Sequence, residues 1–276
     1  MRSVLTVAHK ELRDGLRNRW VLAIAIVFAI LALGLAYFGG AASGTVGFAP
    51  LATTIVSLAS LAIFLIPLIA LLLSYDTIVG EEERGTLMLL LTYPLSPVEL
   101  VLGKFLGHAA ILALASVAGF GAAAILIGIL SGQAGDPALW RAFSFFILSA
   151  TLLGWVFIAL AQWLSAAVRD KSRAAGLALI LWFWFVLVFD LLLLGVLVLG
   201  KGRIGGGWLS AVLMLNPTDV FRLANLVGFG AVREYTGLGV VVRGPLFQPW
   251  PLLGVLVLWV AVPLGLALRS FSRRWR

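Results

Sequence analysis

The sequence contains no cysteine and has only two histidines and three methionines among its 276 residues. The absence of cysteine excludes disulfide bonds, thiolate metal ligands and thiol redox chemistry within the chain. His9 and His108 are far apart in the sequence, whereas a dedicated copper or zinc path needs repeated imidazole or sulfur ligands. We therefore predict that this chain binds no metal ion and no cofactor of its own.

Charged residues are also scarce, at 12%, whereas 62% of the residues are hydrophobic. Soluble domains have about 25% charged and about 45–50% apolar residues. The sequence contains no HExxH zinc motif and no GxSxG nucleophile turn. Residues 195–201 match the start of a phosphate-binding loop, but Gly202 replaces the Ser or Thr that would hold magnesium. We therefore predict that the chain is not an enzyme and that any ATP is hydrolysed by another subunit.

Six apolar stretches are each long enough to cross a bilayer, which takes roughly 20 residues. They lie near residues 20–38, 51–74, 105–130, 140–168, 174–200 and 250–268. The remainder is too short for a separate soluble core, so the pattern predicts one all-α polytopic membrane domain over residues 1–276. We expect the first stretch to stay as a span, because it is longer than a signal-peptide core and follows a mixed-charge segment.

The distribution of basic residues predicts the orientation. Six spans place both termini on one side of the membrane, and that side carries fourteen of the twenty lysines and arginines. By the positive-inside rule, both termini are cytoplasmic in a bacterial inner-membrane protein. The net charge of +8 therefore indicates topology and contact with lipid headgroups, and we expect no nucleic-acid partner.

Residues 1–19 are predicted to form an amphipathic helix, because Leu5, Ala8, Leu12 and Leu16 recur at helical spacing. Such a helix can lie along the cytoplasmic membrane interface. Two roles remain open for it, a simple anchor for the first span and a contact with a partner.

Local signals mark several helices. Ser96 to Glu99 reads as a capping box with proline at the first helical position, and Asp136-Pro137 and Asn216-Pro217 open helices in the same way. The third span carries small residues four apart, such as Gly103 and Gly107, which favour close helix packing. A substrate groove is the alternative interpretation of these glycines.

Residues 75–104 form a charged insert between the second and third spans, and we predict that they make a cytoplasmic elbow. The helical pattern continues from the second span to about Thr92, where Pro94 and Pro97 end it. The acidic head of this elbow, residues 81–83, precedes five apolar residues, 87–91. An apolar tail of this length needs a partner surface, which argues against a merely solvated loop.

The outer loop, residues 201–249, contains two apolar helical runs that are too short to span. We predict a hairpin that dips into the outer leaflet before the sixth span, buried against protein. The charged residues Arg222, Arg233, Glu234 and Arg243 lie among aromatic residues, a composition typical of protein interfaces. They are predicted to dock a periplasmic protein. The alternative is that they contact lipid headgroups beside an interfacial aromatic belt.

Asp190 is the one ionisable residue well inside a span. A charge near the middle of the membrane costs roughly 2.5–3.5 kcal/mol, so such a residue is a functional candidate. It marks either a cavity or gating site, or a protonated or hydrogen-bonded side chain that packs nearer the outer interface.

The elbow also carries a resemblance to a known family. Its sequence runs Glu82-Glu83-Arg84-Gly85-Thr86, then a leucine-rich run from Leu87, then Pro94-Leu95-Ser96 and Gly103-Lys104. This series resembles the signature of type 2 ABC exporter permeases, and the resemblance extends to the amphipathic helix and the six-span layout. It implies that the elbow is the coupling helix that docks on the ATPase subunit. The residues that would do so are Glu81, Glu82, Glu83, Arg84 and Gly85, with weaker roles for Thr86 and Leu87.

Within this family, residues 216–222 and the aromatic fifth span are most similar to the membrane subunit of the Nos complex. That complex supports maturation of the copper sites of periplasmic nitrous-oxide reductase. The resemblance implies a NosF-like ATPase that carries ATP and magnesium, a NosD-like periplasmic subunit and a second copy of this chain. Two other classes remain as alternatives: an ion- or proton-coupled transporter that uses Asp190, and a passive membrane anchor of an enzyme complex.

Overall fold

The computed structural model describes residues 2–38, 47–93, 95–199, 206–228 and 247–274, and these residues form helices and no strand. The helices are α1 (Arg2–Arg17), α2 (Trp20–Phe38), α3 (Leu51–Ser74), α4 (Val79–Glu83), α5 (Thr86–Thr92), α6 (Pro97–Leu130), α7 (Pro137–Ala167), α8 (Lys171–Phe183), α9 (Phe189–Leu199), α10 (Gly206–Leu213), α11 (Pro217–Gly228) and α12 (Pro249–Arg274). A π-helical turn, Trp184–Val188, joins α8 to α9, and we call this continuous unit the fifth span.

Six helical units in the described ranges are long and apolar enough to cross a membrane. They are α2, α3, α6, α7, the fifth span and α12, and they match the six predicted spans. The prediction of an all-α protein with six spans is therefore confirmed. The third span begins earlier than the apolar pattern indicated, at Pro97, because its first two turns are polar enough to leave the lipid.

The predicted helix starts are confirmed in atomic detail. The Ser96 hydroxyl accepts a hydrogen bond from the Glu99 backbone N–H at 3.2 Å, and the Glu99 carboxylate accepts one from the Ser96 backbone N–H at 2.9 Å. The Asp136 carboxylate accepts from the Ala138 N–H at 2.8 Å. These bonds satisfy backbone donors that have no partner within the helix.

The core is built around α7, which packs against α3, α6 and α12. Aromatic contacts extend it towards α2 through α6. The rings of Phe28 and Phe120 stack at 4.5 Å, and Phe120 meets Phe146 of α7 edge to face at 4.9 Å. A second, smaller core lies where α1, α6 and α12 meet the elbow.

Glycines on α6 allow two other helices to approach closely. A Cβ on Gly103 would lie 2.6 Å from the Val7 side chain of α1, and a Cβ on Gly119 would lie 2.5 Å from the Ala25 carbonyl oxygen of α2. Any side chain there would displace the neighbour. These glycines therefore serve close helix packing, as predicted. The position of α1 at the membrane interface stays a prediction.

The helix predicted to run unbroken from the second span to Thr92 is wrong. Helix α3 ends at Ser74, a turn over residues 75–78 separates it from α4, and the chain breaks again at Gly85, whose φ is +71°. A left-handed backbone at this position suits glycine. The first part of the elbow is therefore two short helices, α4 and α5, which the turn at residues 75–78 separates from α3.

Candidate functional site

The first turn of α4 is attached to α7 through one hydroxyl group. Ser165 Oγ accepts hydrogen bonds from the backbone N–H groups of Ile78 and Val79, each at 3.0 Å. A helix N-terminus leaves such donors without an internal partner, so a serine from another helix caps the elbow. This bond explains why the chain can leave α3 and restart as α4 at this point.

Glu81 faces into the protein and joins three elements. The Lys104 ammonium, only 3% exposed on α6, donates to Glu81 at 3.2 Å and to Glu11 of α1 at 2.9 Å. The Thr86 hydroxyl also donates to the Glu81 carboxylate. Burial raises the pKa of Glu11, but the neighbouring Lys104 ammonium outweighs it and holds that pKa at about 2. A buried cation with two carboxylates thus ties the elbow to α6 and α1.

Glu82 and Glu83 attach the elbow to the two helices on its other side. Arg274 near the end of α12 donates to Glu82 at 2.6 Å. The backbone N–H of Lys171, at the start of α8, donates to Glu83 at 2.6 Å. The Lys171 ammonium also pairs with Asp76 at 2.7 Å. All three acids of the elbow are therefore engaged within the chain.

The apolar tail divides between an inner and an outer face. Leu87 is 1% exposed and lies in the smaller core, whereas Met88 and Leu89 are 60% and 64% exposed. Arg84 and Gly85 are exposed beside them. We call Arg84, Gly85, Met88 and Leu89 the outer face of the elbow. An exposed apolar pair beside a charged turn is suited to a protein partner.

A second polar cluster lies at the π-helical turn of the fifth span. The Phe185 carbonyl accepts hydrogen bonds from Asn216 Nδ2 at 2.9 Å and from the Thr218 hydroxyl at 3.1 Å. A π turn shifts the regular backbone bonding of a helix and is frequent at functional sites. The start of α11 is thereby fixed to the point where the fifth span changes its geometry.

Asp190 lies one and a half turns further along the same span and is ion-paired. Arg222 of α11 donates to Asp190 at 2.9 Å and to Asp219 at 3.0 Å. Asn216 completes the cluster with a bond to Asp219 at 3.1 Å. Of the two sequence-based alternatives, the structure therefore places Asp190 in a hydrogen-bonded contact with a neighbouring helix. The other oxygen of Asp190 is buried and has no partner in the described part of the chain.

Comparison with known proteins decides the family. The family model described as "ABC-2 family transporter protein" matches residues 5–275. The chain belongs to this ABC-2 transporter family. A relative from Stutzerimonas stutzeri, "Probable ABC transporter permease protein NosY", is 54% identical over 277 residues, which is 99% of each chain. A Pseudomonas aeruginosa relative of the same name is 54% identical over 276 residues, or 98% of each.

Membership in the ABC-2 family fixes the broad role of the chain. It is a permease subunit of an ABC transporter, of the NosY type. Permeases of this kind are generally non-catalytic, work with an ATPase partner and form dimers. With six apolar helices, this ABC-2 permease is a multi-pass protein of the bacterial inner membrane.

The structure of the ABC-2 permease separates the seven predicted elbow residues by direction. Arg84 and Gly85 face outward, Glu81 and Leu87 face inward, and Thr86 bonds to Glu81. Their coupling roles stay predictions. The sequence reasoning missed Met88 and Leu89 as individual candidates. The sequence could have indicated them, because Met88 and Leu89 follow Gly85 by three and four residues and residues at these spacings share a helix face.

Of the four predicted periplasmic docking residues, the structure describes only Arg222. Arg222 is bonded to Asp190 and Asp219 within this permease, so its docking role stays a prediction. Arg233, Glu234 and Arg243 lie outside the described residues. The two short helices of the predicted hairpin are present as α10 and α11, with the break at Asn216 as expected.

Proposed function

We propose that this permease couples ATP hydrolysis by a separate NosF-like subunit to a conformational change across the inner membrane, in support of copper-site assembly in nitrous-oxide reductase. Both termini lie in the cytoplasm in this proposal. ATP and magnesium bind the partner ATPase, and this chain contributes no catalytic group. The similarity to relatives named NosY supports the assignment to a Nos complex.

One observation supports the coupling mechanism: the elbow is bonded to several helices of the chain but keeps one exposed apolar face. Its inner side bonds to Lys104, Lys171, Ser165 and Arg274, which come from four different helices. Its outer face exposes Met88 and Leu89. A force applied to the outer face would therefore pass to several helices at once instead of bending a loose loop.

In this proposal, the fifth span forms the interface with the second copy of the chain. It is the least buried of the spans in the described residues, and it exposes large apolar side chains such as Ile180, Leu191 and Leu194. Close packing between two fifth spans would place both π-helical turns at the dimer interface. A rotation started at one elbow would then reach the partner copy.

On the outer side, the Asp190–Arg222 pair would carry the motion of the fifth span to α11. A NosD-like periplasmic subunit would receive it at the outer loop. This ion pair gives Asp190 a structural partner on α11 at 2.9 Å, which the proton-relay alternative does not require. A passive anchor would not need an elbow that joins four helices to an exposed apolar face.

The proposal is tested at the outer face of the elbow. The double variant Met88→Ala/Leu89→Ala removes apolar contact area without touching any bond that holds the elbow. We expect at least a tenfold loss of the co-purified ATPase subunit, and loss of any stimulation of its ATPase rate. The matched control is Leu5→Ala/Leu16→Ala on α1, since these two leucines are 65% and 51% exposed but lie outside the elbow.

The wild type and both variants must be present in the membrane in equal amounts, so that a loss of ATPase subunit reports on binding and not on expression of the permease. Normal ATPase binding and stimulation in the elbow variant would contradict the proposal. An equal loss in the α1 control would instead assign the contact to the amphipathic helix.

A further inference from the structure

A cavity lies at the outer ends of α3, α7, α11 and α12, and neither a residue of the elbow nor Asp190 lines it. Its volume is about 780 Å³. This is within the range of roughly 300–1,000 Å³ found for small-molecule sites. Trp250 at the start of α12 meets Phe145 of α7 edge to face at 6.1 Å, and this contact braces two of its walls.

The α7 wall changes from polar to apolar with depth. Arg141, Ser144 and Leu148 line the cavity at spacings of three and four residues, so they lie along one face of the helix. Arg141 comes one turn after the outer end of α7 at Pro137. Leu148 lies about 10 Å deeper, at 1.5 Å per residue. The cavity therefore has a cation and a hydroxyl near its mouth and hydrocarbon below.

The two polar groups at the mouth are available to a ligand. Arg141 is exposed, no carboxylate of the described residues pairs with it, and no acidic residue is among those lining the cavity. The Ser144 hydroxyl likewise has no hydrogen-bond partner among those residues. Basic residues are fewer on the outer side of an inner-membrane protein, so an arginine at a cavity mouth with no carboxylate partner among the described residues points to an anionic ligand.

We propose that this cavity binds one anionic phospholipid from the outer leaflet. The Arg141 guanidinium and the Ser144 hydroxyl hold the lipid phosphate, and an acyl chain lies along Phe145 and Leu148. Trp140 and Trp250 stand at the headgroup level, where tryptophan is enriched in membrane proteins. A free phosphate would leave the apolar depth of the cavity empty, and a zwitterionic lipid would bring a second cation towards Arg141.

The test is lipid retention by the full chain. The protein is reconstituted in nanodiscs that contain equal phosphatidylglycerol and phosphatidylcholine, and it is then extracted in mild detergent. Native mass spectrometry counts the lipids that remain bound. We expect one phosphatidylglycerol per wild-type chain and about a tenfold lower retention in Arg141→Ala, which loses a charge-assisted bond. Arg141→Lys should retain an intermediate amount. The matched control is Arg269→Ala, which removes the same charge from an exposed position near the other end of α12.

A second variant keeps the proposal falsifiable if Arg141→Ala fails to fold. Ser144→Trp fills the mouth of the cavity and preserves the arginine, and it should exclude the lipid. Equal retention in wild type, Arg141→Ala and Ser144→Trp would overturn the proposal, as would equal retention of both lipids by wild type. Phosphatidylglycerol should also raise the melting temperature of the delipidated protein. If millimolar inorganic phosphate raised it equally, the proposal would be overturned, because the site would then be a phosphate site.

Discussion

The Glu82 carboxylate lies 2.6 Å from the guanidinium of Arg274, which follows it by 192 residues in the chain. The same guanidinium donates to the Val168 carbonyl at 2.5 Å. One arginine near the end of the last span therefore links the elbow to the end of α7. The other carboxylate oxygen of Glu82 is buried without a partner in the described residues. The ion pair with Arg274 is therefore the main interaction that offsets the cost of burying this carboxylate.

The first prediction concerns this pair. Glu82→Gln and Arg274→Gln should each lower the free energy of unfolding by about 1–2 kcal/mol, the range for partly buried charged bonds. The double variant should cost less than the sum, because the pair is already broken in each single variant. Denaturant unfolding in detergent micelles measures all three. Arg273→Gln, at an exposed neighbouring position, is the control and should be near wild type; additive losses at Glu82 and Arg274 would contradict the pairing.

A second prediction follows from the bonds of Arg222. Arg222→Gln leaves Asp190 and Asp219 without their cation, and a carboxylate without a partner in a membrane protein is costly. We expect a large drop in membrane protein level, and faster proteolysis at α11 in spheroplasts. Asp190→Asn should be much milder, because an amide oxygen can still accept from Arg222.

The double variant Asp190→Asn/Arg222→Gln tests the same pair from the other side. It should be closer to wild type than Arg222→Gln alone, since one of the two unpaired carboxylates is gone. If the double variant is as damaged as Arg222→Gln, the interaction between these residues does not explain the loss.

The third prediction concerns acid stability. The pKa of Glu11 is lowered from 4.5 to about 2, since Lys104 outweighs the effect of burial. A carboxylate with a lowered pKa adds stability above its unfolded value, and this contribution disappears as the pH falls from about 4.5 towards 2. Glu11→Gln should therefore show a smaller fall in unfolding free energy than wild type across this window. Asp14→Asn on the same helix is the control, since Asp14 is half-buried and pairs with Lys10 and not with Lys104. An unchanged profile in Glu11→Gln would rule out the assignment.

The fourth prediction compares two glycines of α6. A Cβ at Gly103 would clash with Val7, whereas a Cβ at Gly121 has no neighbour within 4 Å. We expect Gly103→Ala to destabilise the protein by about 1–3 kcal/mol through overpacking. Gly121→Ala should be neutral or stabilising by up to about 1 kcal/mol, because alanine favours the helix. Thermal unfolding in detergent checks both, and a neutral Gly103→Ala would mean that α1 does not pack closely on α6.

Features with local signals could be predicted from the sequence. Long apolar runs determine the six spans, and the caps at Ser96, Asp136 and Asn216 depend on residues within three positions of each other. The glycines of α6 were also interpretable, because small residues four apart have one dominant use in membrane helices. The break at Gly85 had a signal too, since glycine often ends a helix, but the strong helical pattern on both sides concealed it.

Partners from distant elements could not be predicted. Lys104 binds both Glu81 and Glu11 because α1 packs on α6 beside the elbow, and no pattern around residue 81 contains that fact. The acids of the elbow were therefore assigned to a partner protein, although the structure engages each of them within the chain. The π-helical turn likewise has no sequence signature, and it is the turn that gives α11 a carbonyl to bind.

The bond between Glu82 and Arg274 also sets an order for assembly. During synthesis at about 5–20 residues per second, roughly 10–40 s pass between these two residues. The elbow exists during that interval without the arginine that completes its attachment. If the ATPase docks on the elbow as proposed, a nascent chain would offer it an incompletely fixed surface until the last span has been made. In the proposed mechanism, recruitment of the ATPase would then distinguish complete permeases from interrupted ones.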